Sequence, residues 1–131
     1  MPTTYHNAAV NISASVSASS QPYGTTSTFL TVPTSSTYIL KNCQIANASP
    51  LVGGSSYTVN VVANLHISSS ATTHSLVYFG AVPAFSSLDV LSDNLVLEGG
   101  DSIVLTITGS NPISGSWTPT VNAIGSYLNI S

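Results

Sequence analysis

The chain has 131 residues, of which 24 are Ser and 15 are Thr, against one Lys, no Arg and four acids, so that 4 % of it is charged while 43 % is apolar. Globular domains carry roughly 25 % charged residues, so the deficit lies in surface ions and not in core-forming residues. One domain's length of chain with a formal net charge of −3, and Lys41 as its sole fixed cation, cannot neutralise a row of phosphates; a nucleic-acid or anionic-membrane partner held by charge is excluded.

Period two runs through the chain, and helical period is almost absent. Val10, Ile12, Ala14 and Val16 alternate with Asn11, Ser13, Ser15 and Ser17, which predicts a half-buried strand. Ser19 to Gly24 breaks it, because Pro22 removes a ladder donor and Gly24 tolerates turn dihedrals. Thr26 to Val32 forms the next run and ends at Pro33. From Thr37 a longer strand is predicted with Ile39, Cys43 and Ile45 on one face and Tyr38, Leu40, Asn42 and Ala46 on the other, stopping at Asn47-Ala48-Ser49-Pro50. After the turn at Gly53-Gly54, the residues Tyr57, Val59, Val61, Ala63, Leu65 and Ile67 alternate with Thr58, Asn60, Val62, Asn64 and His66.

Ser68 to Thr73 reads as a loop, and Ser75 to Ala81 as an apolar run of strand length, the pattern of a strand buried on both faces. Short strands follow at Ser86–Leu91 and Asn94–Leu97. Glu98-Gly99-Gly100-Asp101 is a strong turn signal, and Ile103, Leu105 and Ile107 alternate after it. The last segment runs from Trp117 to Ile130, with Pro112 and Pro119 interrupting pairing. Strands at this spacing, bounded by Gly, Pro, Asn and Ser, predict an all-β fold: one antiparallel sandwich of about eight strands, jelly-roll or immunoglobulin-like. Residues 1–28 read as an N-terminal strand and arm, packed on the same domain or on a neighbour, and residues 29–131 as the sandwich.

Met1 to His6 has neither a basic start nor an apolar core, so no secretory signal is expected there. The most apolar window, Leu76 to Phe85, is about half the ~20 residues a membrane span needs, and Pro83 interrupts it. Cys43 has no second cysteine to pair with and reads as a small buried hydrophobe.

Few residues offer chemistry. Asp89, Asp93, Glu98 and Asp101 cluster in sequence, but their spacing matches no named calcium loop, and Asp favours turns for local backbone hydrogen bonding; whether they hold calcium stays open at this level. His6, His66 and His74 read as surface or interface histidines, with copies of one His meeting on a threefold axis as the remaining metal alternative. No Gly-x-Ser-x-Gly elbow and no phosphate-binding Gly/Lys loop occurs. Tyr5, Tyr23, Tyr38, Tyr57, Tyr78, Tyr127 and Trp117 suit a core, a subunit contact or a sugar-binding groove. The expectation is therefore no enzyme, no catalytic residue, no cofactor and no resident metal. A nearly uncharged surface suits life inside an assembly better than free diffusion.

Three stretches carry a family likeness. Val32-Pro33 leads into Tyr38-Ile39-Leu40-Lys41-Asn42-Cys43-Gln44-Ile45-Ala46-Asn47, later come Ala81-Val82-Pro83-Ala84-Phe85-Ser86, and then Leu95-Val96-Leu97-Glu98-Gly99-Gly100-Asp101. Together they resemble a small β-sandwich module of tailed-bacteriophage virion proteins, in which a strand ending in Ala-Asn is followed by a Val-Pro-Ala-Gly-Ser turn and a Leu-Glu-x-Gly-Asp turn. Phe85 stands where that pattern usually has Gly. The resemblance spans residues 30–108 and implies a non-enzymatic virion subunit: a capsid decoration (cement) protein, assembled in the host cytoplasm, homotrimeric, and bound to the major capsid protein or another virion protein. A neck, tail or fibre accessory subunit, and a glycan-binding adhesin-like module, are the alternatives.

Overall fold

The computed structural model describes residues 3–14, 16–17, 23–49, 58–109 and 116–130. They contain strands and turns and no helix: β1 (Thr3–Ser13), β2 (Val16–Ser17), β3 (Tyr23–Thr31), β4 (Tyr38–Asn47), β5 (Val59–Ile67), β6 (Thr72–Val82), β7 (Ser87–Asp89), β8 (Leu95–Leu97), β9 (Ser102–Gly109), β10 (Ser116–Trp117) and β11 (Thr120–Ile130). Two antiparallel sheets pack as a sandwich. One has the order β1-β11-β4, with the far edge of β4 shared by β7 and β8; the other has the order β3-β9-β5-β6, and β2 pairs with β10 separately. Within the two sheets one set of pairings is nested in chain order: β1 with β11, β3 with β9, β4 with β7 and β8, and β5 with β6; β11–β4 and β5–β9 join the nested pairs side by side.

The alternations of β5 and β9 are realised as read. Val59, Val61, Ala63 and Leu65 point inward from one strand, and Ile103, Leu105 and Ile107 from its neighbour. They meet Leu40, Ile45, Leu97 and Val121 of the opposite sheet in a single core. Each such side chain contributes about 1.5–3 kcal/mol by leaving water. The first strand begins at Thr3, well before the alternation from Val10, because β11 supplies a partner for every residue from Thr3 to Ser13. Its inward set Ala8, Val10 and Ile12 keeps the predicted phase.

Two predicted strand patterns are corrected. In β4, Tyr38 and Leu40 share the buried face with Cys43 and Ile45, not the opposite one. The register shows why: Tyr127 pairs with Leu40 and the preceding Ser126 with Asn42, which leaves Lys41 as an extra residue, exposed beside exposed Asn42. A one-residue bulge moves every residue beyond it to the other face. In the run Ser75–Ala81, read as buried on both faces, Ser75 and Ala81 are exposed and Leu76, Val77 and Gly80 half-buried. The run lies in β6, which among the described residues pairs only with β5 and forms a sheet edge. Val61 pairs with Gly80, Ala63 with Val77 and Asn64 with Ser75, so β6 carries two extra residues, each of which shifts the phase of the strand. Tyr57, Gly53-Gly54 and Pro112 lie outside the described residues.

The Glu98–Asp101 turn forms where predicted. A side chain at Gly99 would meet the Thr34 carbonyl, and Gly100 has φ +92°, which an L side chain rarely adopts.

Candidate functional site

The three stretches that carry the family likeness do structural work. Asn47, buried, donates from Nδ2 to the Val82 carbonyl at 2.9 Å, and its backbone N–H donates to the Ser86 carbonyl at 3.0 Å. It thereby ties the end of β4 in one sheet to the end of β6 in the other. Asp101 is 5 % exposed, and its carboxylate accepts from the backbone N–H groups of Ser68 at 3.0 Å and Glu98 at 2.9 Å. Its own carbonyl accepts from Val32 N at 2.9 Å. One carboxylate therefore holds the β5–β6 turn and the β8–β9 turn at the same end of the sandwich. Phe85, at the position where the resembling pattern has Gly, takes φ +64°, a left-handed conformation that Gly adopts freely and Phe does not. The residue is 81 % exposed.

The other candidate residues are dispersed. Among the described residues no three His, Cys, Asp or Glu side chains form a group able to hold a metal ion. Asp93 accepts from Asn94 N at 2.7 Å, and Asp89 is exposed on β7. His6 stacks on Tyr127 with centroids 5.3 Å apart, and Tyr127 stacks on buried Tyr38 at 4.3 Å, a column crossing β1, β11 and β4. Burial first, and then the hydrogen bond and charge of Tyr38, raise the Tyr127 phenol above its ordinary value. His66 and His74 bond Thr73 and Thr72 respectively, both at 3.2 Å. Cys43 is 2 % exposed, and burial pushes its thiol up to about 12. Tyr5 is 72 % exposed on β1, whereas Tyr57 and the side chains of Tyr23, Tyr78 and Trp117 lie outside the described set.

What remains is surface, and it is almost free of ions. On the β3-β9-β5-β6 sheet the outward residues include Thr26, Thr28, Thr106, Asn60, Asn64, His66, Thr73 and Ser75, with hydroxyl and amide pairs such as Thr26–Thr106 at 2.8 Å and Ser75–Asn64 at 3.2 Å. On the opposite sheet Asn11 donates to Asn122, Asn42 Nδ2 to Ser126 Oγ at 3.0 Å, and Gln44 Nε2 to Ser87 Oγ at 3.0 Å. The described ions on that face are Lys41 at the bulge and Asp89 at the edge. A shallow depression of about 380 Å³ lies between β1 and β11, lined by Ala9, Val10, Asn11, Asn122, Ala123 and Ile124. Ile124 is 54 % exposed beside it. The Ser, Thr and Asn content indicated such a surface; the depression, which needs β1 beside β11, had no signal in the sequence.

The fold is similar to that of a chain in the structure of infectious bursal disease virus, Gx strain, with a TM-score of 0.57 and 13 % identity over 98 % of this chain and 32 % of that one. A chain in the structure of the Gt strain gives a TM-score of 0.50 and 10 % identity over 97 % of this chain and 37 % of its own length. A chain of the cyanophage Pam1 capsid asymmetric unit, at 13 % identity, covers 96 % of this chain and 84 % of its own with a TM-score of 0.44. The protein thus spans about a third of the two bursal-disease-virus chains it matches. No protein-family model and no curated protein matches the sequence. At these identities the likeness is one of all-β architecture, shared with chains of virus structures.

Proposed function

We propose that the chain is a non-enzymatic structural subunit of a virion, folded as a jelly roll, and that it decorates the capsid as a homotrimeric cement protein bound between major capsid subunits. The observation that carries this reading is the pair of outer sheet faces, which are broad, hydroxyl- and amide-covered and nearly free of ions. Burying an ion in a contact costs several kcal/mol unless it is paired there. Neutral donors and acceptors avoid that cost and tolerate bridging water, so such faces suit contacts repeated over a lattice, where many weak attachments act together. The nested pairing β1/β11, β3/β9, β4/β7–β8 and β5/β6 supports the jelly-roll reading, because two Greek keys wound together bring first and last strands side by side. The fold likeness to chains of virus structures agrees with it.

The test is quantitative mass spectrometry of purified particles of the virus that encodes the chain, with heat-induced genome release measured on particles with and without it. Many copies per particle, and release at lower temperature when it is missing, are expected. Absence from particles would refute the virion role, and a few copies confined to the tail would move the protein to the neck, tail or fibre.

A further inference from the structure

Natural sheets blunt their free edges with short strands, bulges, charges or proline, because an open row of N–H and C=O groups is a template for another strand. Among the described residues, the two large sheets have all but one of their edges blunted in this way. β7 and β8 are three residues long each, and β7 carries Asp89. β6 has two register shifts against β5. β3 has one against β9, with Phe29 as its extra residue. The exception is β1, which is eleven residues long, pairs with β11 without a register shift and contains no Lys, Asp, Glu or Pro. Among the described residues β11 is its sole strand partner.

Hydrogen bonds on the far side of β11 fix which backbone groups of β1 lie open. Thr120 turns its carbonyl to Ala48 N, Ser126 its N–H to Asn42 Oδ1, and Ile130 its N–H to the Thr37 carbonyl, all on the β4 side. These three residues stand opposite Ser13, Asn7 and Thr3. Opposed residues of an antiparallel pair exchange either both bonds or neither. Ser13, Asn7 and Thr3 therefore turn their own N–H and C=O groups away from β11, and strict alternation adds Tyr5, Ala9 and Asn11. Ala14, of the other parity, donates its N–H to the Pro119 carbonyl, as the alternation requires. The open donors and acceptors run along roughly 37 Å of edge, at about 3.4 Å per residue.

We propose that β1 pairs antiparallel with β1 of a second copy about a twofold axis at Ala8, joining the two β1-β11-β4 sheets edge to edge. This axis puts Thr3 opposite Ser13, Tyr5 opposite Asn11 and Asn7 opposite Ala9 of the other copy, so each open N–H meets an open C=O and about a dozen backbone bonds form. A second copy is the occupant because β1 is complementary to itself over its whole length. Ala8 meets Ala8 on the axis, where a non-bonded pair approaches to about 4.5 Å and small side chains suit the contact. His6 faces Val10 and Thr4 faces Ile12, so no ring is set against its own copy and no like charges meet. Nor does β1 carry an ion that would select a charged partner. Such a contact is isologous and closes at two copies. It goes beyond the shell reading and does not rest on it; in a trimeric cement protein it is a second contact, linking one trimer to the next.

Light scattering and residue-resolved amide exchange on the full chain decide it. At high concentration the wild type is expected to associate, with the amides of Tyr5, Asn7, Ala9 and Asn11 protected and then released on dilution. Those of His6, Ala8 and Val10, bonded to β11, should stay protected throughout. Two double variants test the register, because Asn7 and Ala9 are exposed and face each other across the axis. Asn7→Lys with Ala9→Lys, and Asn7→Asp with Ala9→Asp, each set like charges opposite one another and should weaken association about tenfold at low salt. An equimolar mixture sets Lys opposite Asp and should restore it. Circular dichroism checks that both variants fold, and the exchange pattern of the wild type tests the contact without them. A wild type that does not associate, one that associates with those four amides still open, or a mixture of folded variants no stronger than its components overturns the proposal. A wild type found on particles with the four amides open would remove this contact and leave the shell role standing.

Discussion

Removal of the Asp101 carboxylate tests whether one buried side chain closes that end of the sandwich. In Asp101→Ala two charge-assisted bonds disappear, those from Ser68 N at 3.0 Å and Glu98 N at 2.9 Å. Each is worth about 1.5–3 kcal/mol. Ser68 and Glu98 are exposed, so water replaces part of what is lost and the lower end applies, about 3 kcal/mol in total. For a chain of this size a loss of 1 kcal/mol lowers Tm by roughly 4 °C, so calorimetry at neutral pH should show a drop of about 12 °C. Asp101→Asn keeps one acceptor oxygen but turns an NH2 group toward the other amide, and about half the drop is expected. Asp93→Ala, which loses only an exposed bond to the adjacent Asn94 N, is the control and should shift stability by less than about 0.5 kcal/mol. Amide exchange at Ser68 and Glu98 should accelerate in Asp101→Ala. A Tm within about 2 °C of the wild type would refute the reasoning, since it would mean that the two turns are held by something other than this carboxylate.

Other substitutions probe the remaining structural arguments. Phe85→Gly trades a left-handed Phe, costing about 1–2 kcal/mol, for a Gly with more freedom when unfolded, so a net gain of about 0.5–1 kcal/mol should appear in denaturant titration. The Cys43 thiol titrates near 9.0 when exposed and at about 12 when buried, so the folded state holds its proton where the unfolded state has lost it. Stability should be flat below pH 9 on this account and fall by about 1.4 kcal/mol per pH unit between 9 and 12; Cys43→Ala should make the decline above pH 9 shallower, leaving the part above pH 10 that the raised Tyr127 phenol contributes. Deleting Lys41 removes the bulge and brings Cys43 two positions after Leu40, so Tyr38, Leu40, Cys43 and Ile45 stay on one face of an unbroken strand; the deletion variant is expected to fold, with a circular dichroism spectrum like that of the wild type.

Much of the local structure was legible in the residues themselves. The alternations around Val59–Ile67 and Ile103–Ile107 assigned inward faces correctly, because in an unbroken strand period two leaves only one phase that buries the apolar set. The Glu98–Asp101 turn was marked by two glycines and an Asp, each with a conformational reason to be there. The candidate surface was legible only as a composition rich in Ser, Thr and Asn.

Tertiary structure decided everything that depends on which strand lies beside which. An extra residue such as Lys41 has no composition of its own, and the phase of β4 on either side of it is set by β11, whose pairing partners the local pattern does not name. The apolar run of β6 reads as a strand buried on both faces and lies, among the described residues, at a sheet edge, which hydrophobicity does not report, because it reflects burial of side chains and not whether a second neighbour completes the ladder. Asn11 and Asn122 stand 111 residues apart and line one depression only because the first strand pairs with the last. Side-chain alternation is local, whereas pairing is chosen by the whole chain's need to bury both apolar faces at once. The sequence by itself therefore determined the strands and their inward faces between bulges, and the packed fold alone set their order, their register and the surface they present.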